Sequence, residues 1–147
     1  MRLPYKLLVF DWDGTLMDSQ QEIVYCFQAA AKDLSLAVPS VEAIHNIIGI
    51  GMPQAIRAIF PMIESDAEVA RITEAYRNHY FHPDKVPSEL FDGIFDMLSE
   101  LERQGYFLAV ATSKGRRGLD AALERTGLNK VFHTTRCIDE AQSKSYF

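Results

Sequence analysis

Long hydrophobic runs, cysteine clusters and blocks of basic residues are all missing from this chain of 147 residues. The apolar run Leu7–Phe10 is too short for a signal-peptide core or a membrane span, and no other segment qualifies. Arg116 and Arg117 form the only adjacent basic pair, and the formal net charge is −5. Because nucleic acids select basic surfaces, we expect neither nucleic-acid nor membrane binding.

Cysteine is equally scarce, with Cys26 and Cys137 far apart in the sequence. No Cys-x-x-Cys or histidine-rich spacing surrounds them, which argues against a structural zinc site. We expect reduced thiols and therefore a cytoplasmic protein. A hydrophobic content of 48% is typical of a soluble globular chain that buries one sizeable core or two small ones.

Apolar segments predict three strands separated by helices. Leu7–Phe10 is read as a buried parallel strand, Tyr106–Ala111 as a second, and Val131–Cys137 as a third. From about residue 20 to residue 82 the pattern is helical throughout, with predicted capping boxes at Ser19/Glu22 and Ser65/Glu68. The helix before the second strand should end at Gly105, and the one after it near Gly127.

Two carboxylates follow the first strand directly, in the segment Asp11-Trp12-Asp13-Gly14-Thr15-Leu16-Met17-Asp18. The carboxyl end of a buried strand is where open α/β sheets bind ligands. Asp11 and Asp13 point the same way on an extended chain, and Gly14 allows a sharp exit. Two like charges at one place are costly unless a cation joins them. An Asp-Gly turn explains Asp13 and Gly14 but not Asp11, so we expect chemistry there.

The pattern Asp-x-Asp-Gly-Thr-Leu-x-Asp-Ser resembles the haloacid dehalogenase superfamily of phosphohydrolases. The resemblance implies that Asp11 is the nucleophile, which becomes an aspartyl phosphate, and that Asp13 is the general acid and then the general base. It also implies Mg²⁺, held by a side-chain oxygen of Asp11 and the backbone carbonyl of Asp13. Oxygen ligands suit this hard cation, and covalent catalysis by a carboxylate splits one difficult hydrolysis into two displacements.

The segment Ala109-Val110-Ala111-Thr112-Ser113-Lys114 resembles the second motif of the family. Thr112 is then expected to donate its hydroxyl to a phosphoryl oxygen. Ser113 and Lys114, together with Gly14 and Thr15, are expected to contact the substrate. Arg116 and Arg117 lie in the first turn of the following helix, where contact of one of them with a phosphate is an alternative, but both are expected to be solvated.

Lys144 is the candidate for the lysine of the third motif, because it follows the acidic stretch Asp139-Glu140. The family's fourth motif, a pair of aspartates on the next strand, has no counterpart after Lys144, so we expect a truncated family member. The missing strand lies beside the first strand in relatives. Its absence would leave the Asp11 strand as an exposed apolar edge, which favours pairing with a second chain, as in a homodimer.

The resemblance implies an α/β fold: a Rossmann-like core with an incomplete parallel sheet, residues 1–18 and 84–147, and an inserted helical cap, residues 19–83. The expected function is Mg²⁺-dependent hydrolysis of a small phosphorylated metabolite, as in phosphoglycolate phosphatases. Two alternatives stay open. One is an inactive fragment that self-associates, and the other is a phosphomutase similar to β-phosphoglucomutase.

Overall fold

A three-stranded parallel sheet joins the beginning and the end of the chain in the computed structural model, which describes residues 4–140. The strands are β1 (Leu7–Phe10), β4 (Phe107–Thr112) and β5 (Thr134–Cys137), in the order β1-β4-β5. Phe10 pairs with Val110, and Thr112 pairs with Cys137, both in parallel register. The expected α/β architecture is confirmed.

Two compact units are separated at Asp18/Ser19 and Ser88/Glu89. The first comprises the chain up to Asp18 and again from Glu89, and the second is Ser19–Ser88. Within the first unit, β2 (Met17–Asp18) and β3 (Glu89–Leu90) form a short antiparallel pair that the sequence did not predict. The β2–β3 pair connects the segment that precedes the helical unit to the segment that follows it.

The helices α5 (Ile94–Arg103) and α6 (Arg116–Thr126) follow β3 and β4 respectively. Their apolar faces and the sheet bury a core that includes Trp12, Leu98, Leu108, Val110, Leu119 and Leu128. Gly105 and Gly127 have left-handed φ angles of +90° and +77°, as expected of residues just past a helix end. The third strand is shorter than predicted, because residues 128–131 form turns in which Val131 donates to the carbonyl of Leu128.

Ser19–Ser88 folds as four helices: α1 (Gln20–Asp33), α2 (Val41–His45), α3 (Met52–Ile59) and α4 (Asp66–Tyr80). Its core is built from apolar side chains spaced along these helices, among them Ile23, Phe27, Ile44, Ile56, Ile72 and Tyr76. The rings of Phe27 and Tyr76 lie 4.6 Å apart between centroids. Among the described residues, no helix is both long and apolar enough to cross a membrane.

One predicted capping box is confirmed and the other is wrong. Ser65 Oγ accepts from the backbone N–H of Glu68 at 3.2 Å, and the Glu68 carboxylate accepts from the N–H of Ser65 at 3.4 Å. Ser19 makes no such bond to the first turn of α1. The carboxylate of Glu22 is engaged elsewhere, since it accepts from Lys85 and from the backbone N–H of Ser88. The ammonium group of Lys85, from a distant segment, thus takes the place of the Ser19 backbone N–H as the partner of Glu22.

Candidate active site

The loop after β1 is shaped by hydrogen bonds to one carbonyl. The backbone N–H groups of Thr15, Leu16 and Met17 all lie 3.0–3.1 Å from the oxygen of Trp12. Gly14 has a φ of +78°, a left-handed conformation that glycine adopts without strain. Its N–H donates to the carbonyl of Met17 at 2.9 Å. The chain therefore turns back immediately after Asp13, and both aspartates stay at the strand end.

Asp11 follows the last residue of β1 and is partly exposed. Its Oδ1 accepts from the backbone N–H of Trp12 at 2.8 Å. This hydrogen bond helps to hold the carboxylate in place at the end of β1. The side chain of Trp12 is fully buried in the core and anchors this part of the loop.

Asp13 has two different oxygen environments. Its Oδ2 lies 3.6 Å from the ammonium nitrogen of Lys114, and the two side chains are only 15% and 10% exposed. Its Oδ1 is buried and has no hydrogen-bond partner among residues 4–140. Because a buried carboxylate oxygen without a partner is costly, this atom fits a site that a bound group or a proton completes.

Thr112, the last residue of β4, is 1% exposed. Its Oγ1 accepts from the backbone N–H of Lys114 at 3.1 Å, which leaves its own hydroxyl proton for a further acceptor. β1 and β4 are paired in parallel with Phe10 opposite Val110. Asp11 and Thr112 therefore lie at the same carboxyl end of the sheet.

The structure thus brings four of the predicted residues to one end of the sheet: Asp11, Asp13, Thr112 and Lys114. Ser113 is partly exposed beside them, and Gly14 and Thr15 lie exposed in the turn after Asp13. Lys144 lies outside the described residues, so its predicted role stays a prediction.

The oxygen atoms that Asp11 and Asp13 offer are the kind of ligand that suits a hard cation, but they are too few to complete its coordination. Asp11 and Asp13 offer carboxylate and carbonyl oxygens, the ligands that Mg²⁺ prefers. Within residues 4–140, the group of three residues able to ligate a metal is instead Cys137, Asp139 and Glu140. Its Glu140 is already hydrogen-bonded by Arg116 and by the N–H of Cys137. A cation at the aspartates would therefore take further ligands from water, substrate or other groups.

The expectation of a solvated Arg116 is wrong. Its guanidinium donates to Oγ1 and the carbonyl of Thr135 at 2.6 and 2.9 Å and to Asp120 at 3.1 Å, and it also contacts Glu140. Its backbone N–H donates to Asp139 Oδ2 at 3.2 Å. Arg116 therefore ties the start of α6 to β5 and to the 3₁₀ turn Ile138–Glu140 that follows it.

Two acidic groups at this junction, Glu140 and Cys137, have shifted pKa values. Hydrogen bonds from Arg116 and from the backbone of Cys137 lower the pKa of Glu140. Burial raises the pKa of the Cys137 thiol to about 11, so the thiol is neutral at physiological pH. A neutral buried thiol is a poor nucleophile, which favours a structural role for Cys137 over a catalytic one.

Comparison with known proteins gives a family match over nearly the whole chain. The sequence profile described as haloacid dehalogenase-like hydrolase matches residues 8–145. Among curated proteins, the chain is 35% identical over 128 residues to a probable phosphatase, IndB, of Dickeya dadantii, covering 86% of this chain and 56% of that protein. It is 29% identical over 135 residues to the phosphoglycolate phosphatase of Thiobacillus denitrificans, covering 88% and 59%.

Among solved structures, the protein named Protein Tyrosine Kinase A (PtkA) of Mycobacterium tuberculosis superposes with a TM-score of 0.76 at 32% identity. The match covers 90% of this chain and 60% of that one. This chain therefore spans a little over half the length of the probable phosphatase IndB, of the phosphoglycolate phosphatase and of the solved PtkA chain.

Proposed function

The chain belongs to the haloacid dehalogenase-like hydrolase family, and we propose that it hydrolyses the phosphate monoester of a small metabolite through a phosphorylated Asp11. The proposal is supported by Asp11, Asp13, Thr112 and Lys114, which lie together at the carboxyl end of the parallel sheet, where open α/β sheets typically bind ligands. A relative named phosphoglycolate phosphatase supports a substrate of that kind. Cys26 and Cys137 are buried and form no disulfide, which supports the cytoplasm as the compartment.

In the first step, a carboxylate oxygen of Asp11 forms a bond to phosphorus as the bond between phosphorus and the leaving oxygen breaks. Asp13, protonated at this stage, gives its proton to that leaving oxygen, so a neutral alcohol departs. In the second step, Asp13 takes a proton from water while the water oxygen bonds to phosphorus. The bond from phosphorus to Asp11 then breaks, which releases phosphate and restores both carboxyl groups.

The observation that carries this proposal is the asymmetry of Asp13. One oxygen faces the ammonium of Lys114 at 3.6 Å, and the other is buried without a hydrogen-bond partner among the described residues. A carboxyl group held at one oxygen keeps its orientation, while the second oxygen stays available to give and take a proton. In this proposal Asp11, whose Oδ1 accepts a hydrogen bond from the backbone N–H of Trp12, is the nucleophile.

Mg²⁺ is the proposed cofactor, held by the side chain of Asp11 and the backbone carbonyl of Asp13. When bound, it neutralises negative charge on the phosphoryl oxygens and so lets a carboxylate approach them. In this proposal Thr112 donates its hydroxyl proton to one of those oxygens, since its own oxygen already accepts from the backbone N–H of Lys114.

The test is Mg²⁺-dependent phosphate release from an aryl phosphate and from phosphoglycolate by the wild type, Asp11→Asn and Asp13→Asn. Both variants should lose at least about 1,000-fold in kcat, as expected for a covalent nucleophile and for the general acid that serves it. Asp96→Asn, a change at an exposed carboxylate in the first turn of α5, is the matched control. Undiminished turnover in Asp11→Asn would contradict the nucleophile assignment. No turnover by the folded wild type would support the inactive alternative.

Phosphoryl transfer to another acceptor is the second candidate function, since the similar structure from M. tuberculosis is named a tyrosine kinase. An aspartyl phosphate can be opened by a hydroxyl group as well as by water. The wild type, incubated with ATP and a tyrosine peptide or with a hexose phosphate, distinguishes these outcomes, and the same two variants serve as inactive controls. A phosphopeptide would indicate a kinase, and an isomerised sugar phosphate would indicate a mutase.

A further inference from the structure

The side chain of Lys114 lies against a glycine one helical turn further along the chain. A Cβ atom built on Gly118 would sit 3.1 Å from Cε, 3.4 Å from Cγ and 3.7 Å from Cδ of Lys114. Gly118 is buried inside α6, where glycine lowers helix stability relative to alanine. The backbone therefore gains nothing from this glycine, and the space it leaves is filled by the lysine.

We propose that Gly118 is a positioning residue that acts through Lys114, because its missing side chain lets the lysine lie along α6 and reach Asp13. The role in turnover rests on the proposed function, whereas the packing relationship stands independently of it. Thr112 and Ile138 hold the backbone of Lys114, and Gly118 leaves room for the part of its side chain that carries the ammonium.

The backbone of Lys114 is held from both sides. Its N–H donates to Thr112 Oγ1 at 3.1 Å, and its carbonyl accepts from the N–H of Ile138 at 3.3 Å. An added methyl group at position 118 would therefore move the lysine side chain rather than the main chain. A contact of 3.1 Å requires a shift of a few tenths of an ångström at Cε, the atom that carries the ammonium group.

Such a shift acts directly on the ion pair. The Nζ–Oδ2 separation from Asp13 is 3.6 Å, so a small displacement of Cε changes how the carboxyl group is held. Asp13 must present one oxygen to the leaving group in the first step and to water in the second. A misplaced Lys114 should therefore lower kcat more than it raises KM.

The experiment compares Gly118→Ala with Gly115→Ala in the full chain. Gly115 is the matched control, because a Cβ there meets no atom within 4 Å and its φ is −72°. The first readout is the rate at which an amine reagent modifies Lys114, measured by peptide mass spectrometry. We expect faster modification in Gly118→Ala than in the wild type or Gly115→Ala, with no drop in Tm because alanine favours the helix.

The second readout is turnover in a double-mutant cycle with Lys114→Ala. Gly118→Ala alone should lose about tenfold in kcat/KM, less than the roughly 100-fold that a 1 Å misplacement can cause. In the Lys114→Ala background the same change should cost nothing further, since the residue it acts through is gone.

Two results would overturn the positioning role. One is equal modification rates of Lys114 in the three proteins, and the other is the same loss of about tenfold in kcat/KM when Gly118→Ala is made in the Lys114→Ala background. Failure of the proposed function has a different signature. There the wild type releases no phosphate, yet Lys114 of Gly118→Ala is still modified faster, and that result supports the packing relationship by itself.

Discussion

Lys85 forms a nearly buried ion pair with Glu22, 63 residues earlier in the chain. The backbone N–H of Ser88 donates to the same carboxylate oxygen at 3.2 Å, and the lysine nitrogen also lies 4.6 Å from the ring centroid of Tyr80. The two charged side chains are 10% and 6% exposed. The first turn of α1 is therefore linked to the segment in which the helical unit ends.

Breaking this pair from one side should be strongly destabilising. Lys85→Met leaves the Glu22 carboxylate buried without its cation, which typically costs about 3–5 kcal/mol. Urea unfolding at neutral pH measures the change. Arg103→Met is the control, because Arg103 and Glu100 form a pair in which both side chains are exposed, 73% and 48%. Water screens such an exposed pair, so it contributes little to stability. Similar losses in the two variants would contradict the distinction.

The two serines that precede helices should respond differently to removal of their hydroxyl groups. Ser65→Ala deletes the acceptor for the N–H of Glu68 and should cost about 1 kcal/mol of unfolding free energy. Ser19→Ala should cost less or even stabilise, since Ser19 Oγ is buried and has no partner in the part of the chain that the structure describes. Chemical denaturation of both variants decides the matter, and an equal loss at Ser19 would show that it does cap α1.

Glu140 should contribute stability only while it is charged. Arg116 and the N–H of Cys137 lower its pKa from the ordinary value of 4.5, so the folded state favours the carboxylate. A lowered folded pKa gives stability that is present above the unfolded pKa and lost as pH falls through the folded one. Glu140→Gln should therefore lower Tm at neutral pH, and its difference from the wild type should vanish in acid.

Thermal melts over a pH series check this expectation, with Glu102→Gln as a control at an exposed glutamate of α5. A Tm difference for Glu140→Gln that is constant from neutral to acidic pH would mean that its charge is not what Arg116 recognises.

The sequence predicted best what depends on neighbouring residues. The strand before Asp11, the helix ends at Gly105 and Gly127, and the Ser65 capping box all follow from local patterns that the structure reproduces. Ser19 carries the same local signal as Ser65, but Glu22 is bound by Lys85 instead. A cation from a distant segment outcompetes a backbone N–H in a buried site, and spacing along the chain cannot reveal it.

The candidate site likewise contains residues that local motifs predicted and a contact that the sequence did not reveal. Asp11, Asp13 and Thr112 were predicted because each stands at a recognisable position in a motif or at a strand end. The contact between Lys114 and Gly118 was missed, although four-residue spacing on a helix is visible in the sequence, because a glycine gives no sign of which side chain fills its space. The pairing of Met17–Asp18 with Glu89–Leu90 was missed because two-residue strands carry no periodicity.

Three apolar side chains of the paired strands β1 and β4 are exposed. Leu7 and Val9 are 49% and 58% exposed, and Phe107, which is paired with Leu7 in the sheet, is 54% exposed. Within residues 4–140, β1 pairs only with β4, so its other edge offers unpaired backbone groups. The run Leu7–Phe10 contains no charge or proline to discourage pairing. We propose that a second copy of this chain covers the edge, as in the homodimer expected from the sequence.

A charged residue introduced into β1 should then dissociate the proposed dimer. Val9→Lys should weaken self-association by at least about tenfold, because an ammonium group would be taken out of water at the contact. Met62→Lys is the matched control, since Met62 is an equally apolar residue, 88% exposed, in the helical unit. Sedimentation equilibrium over a range of protein concentrations measures the effect. If the wild type is monomeric at every concentration, or if both variants dissociate alike, the edge of β1 is not the contact.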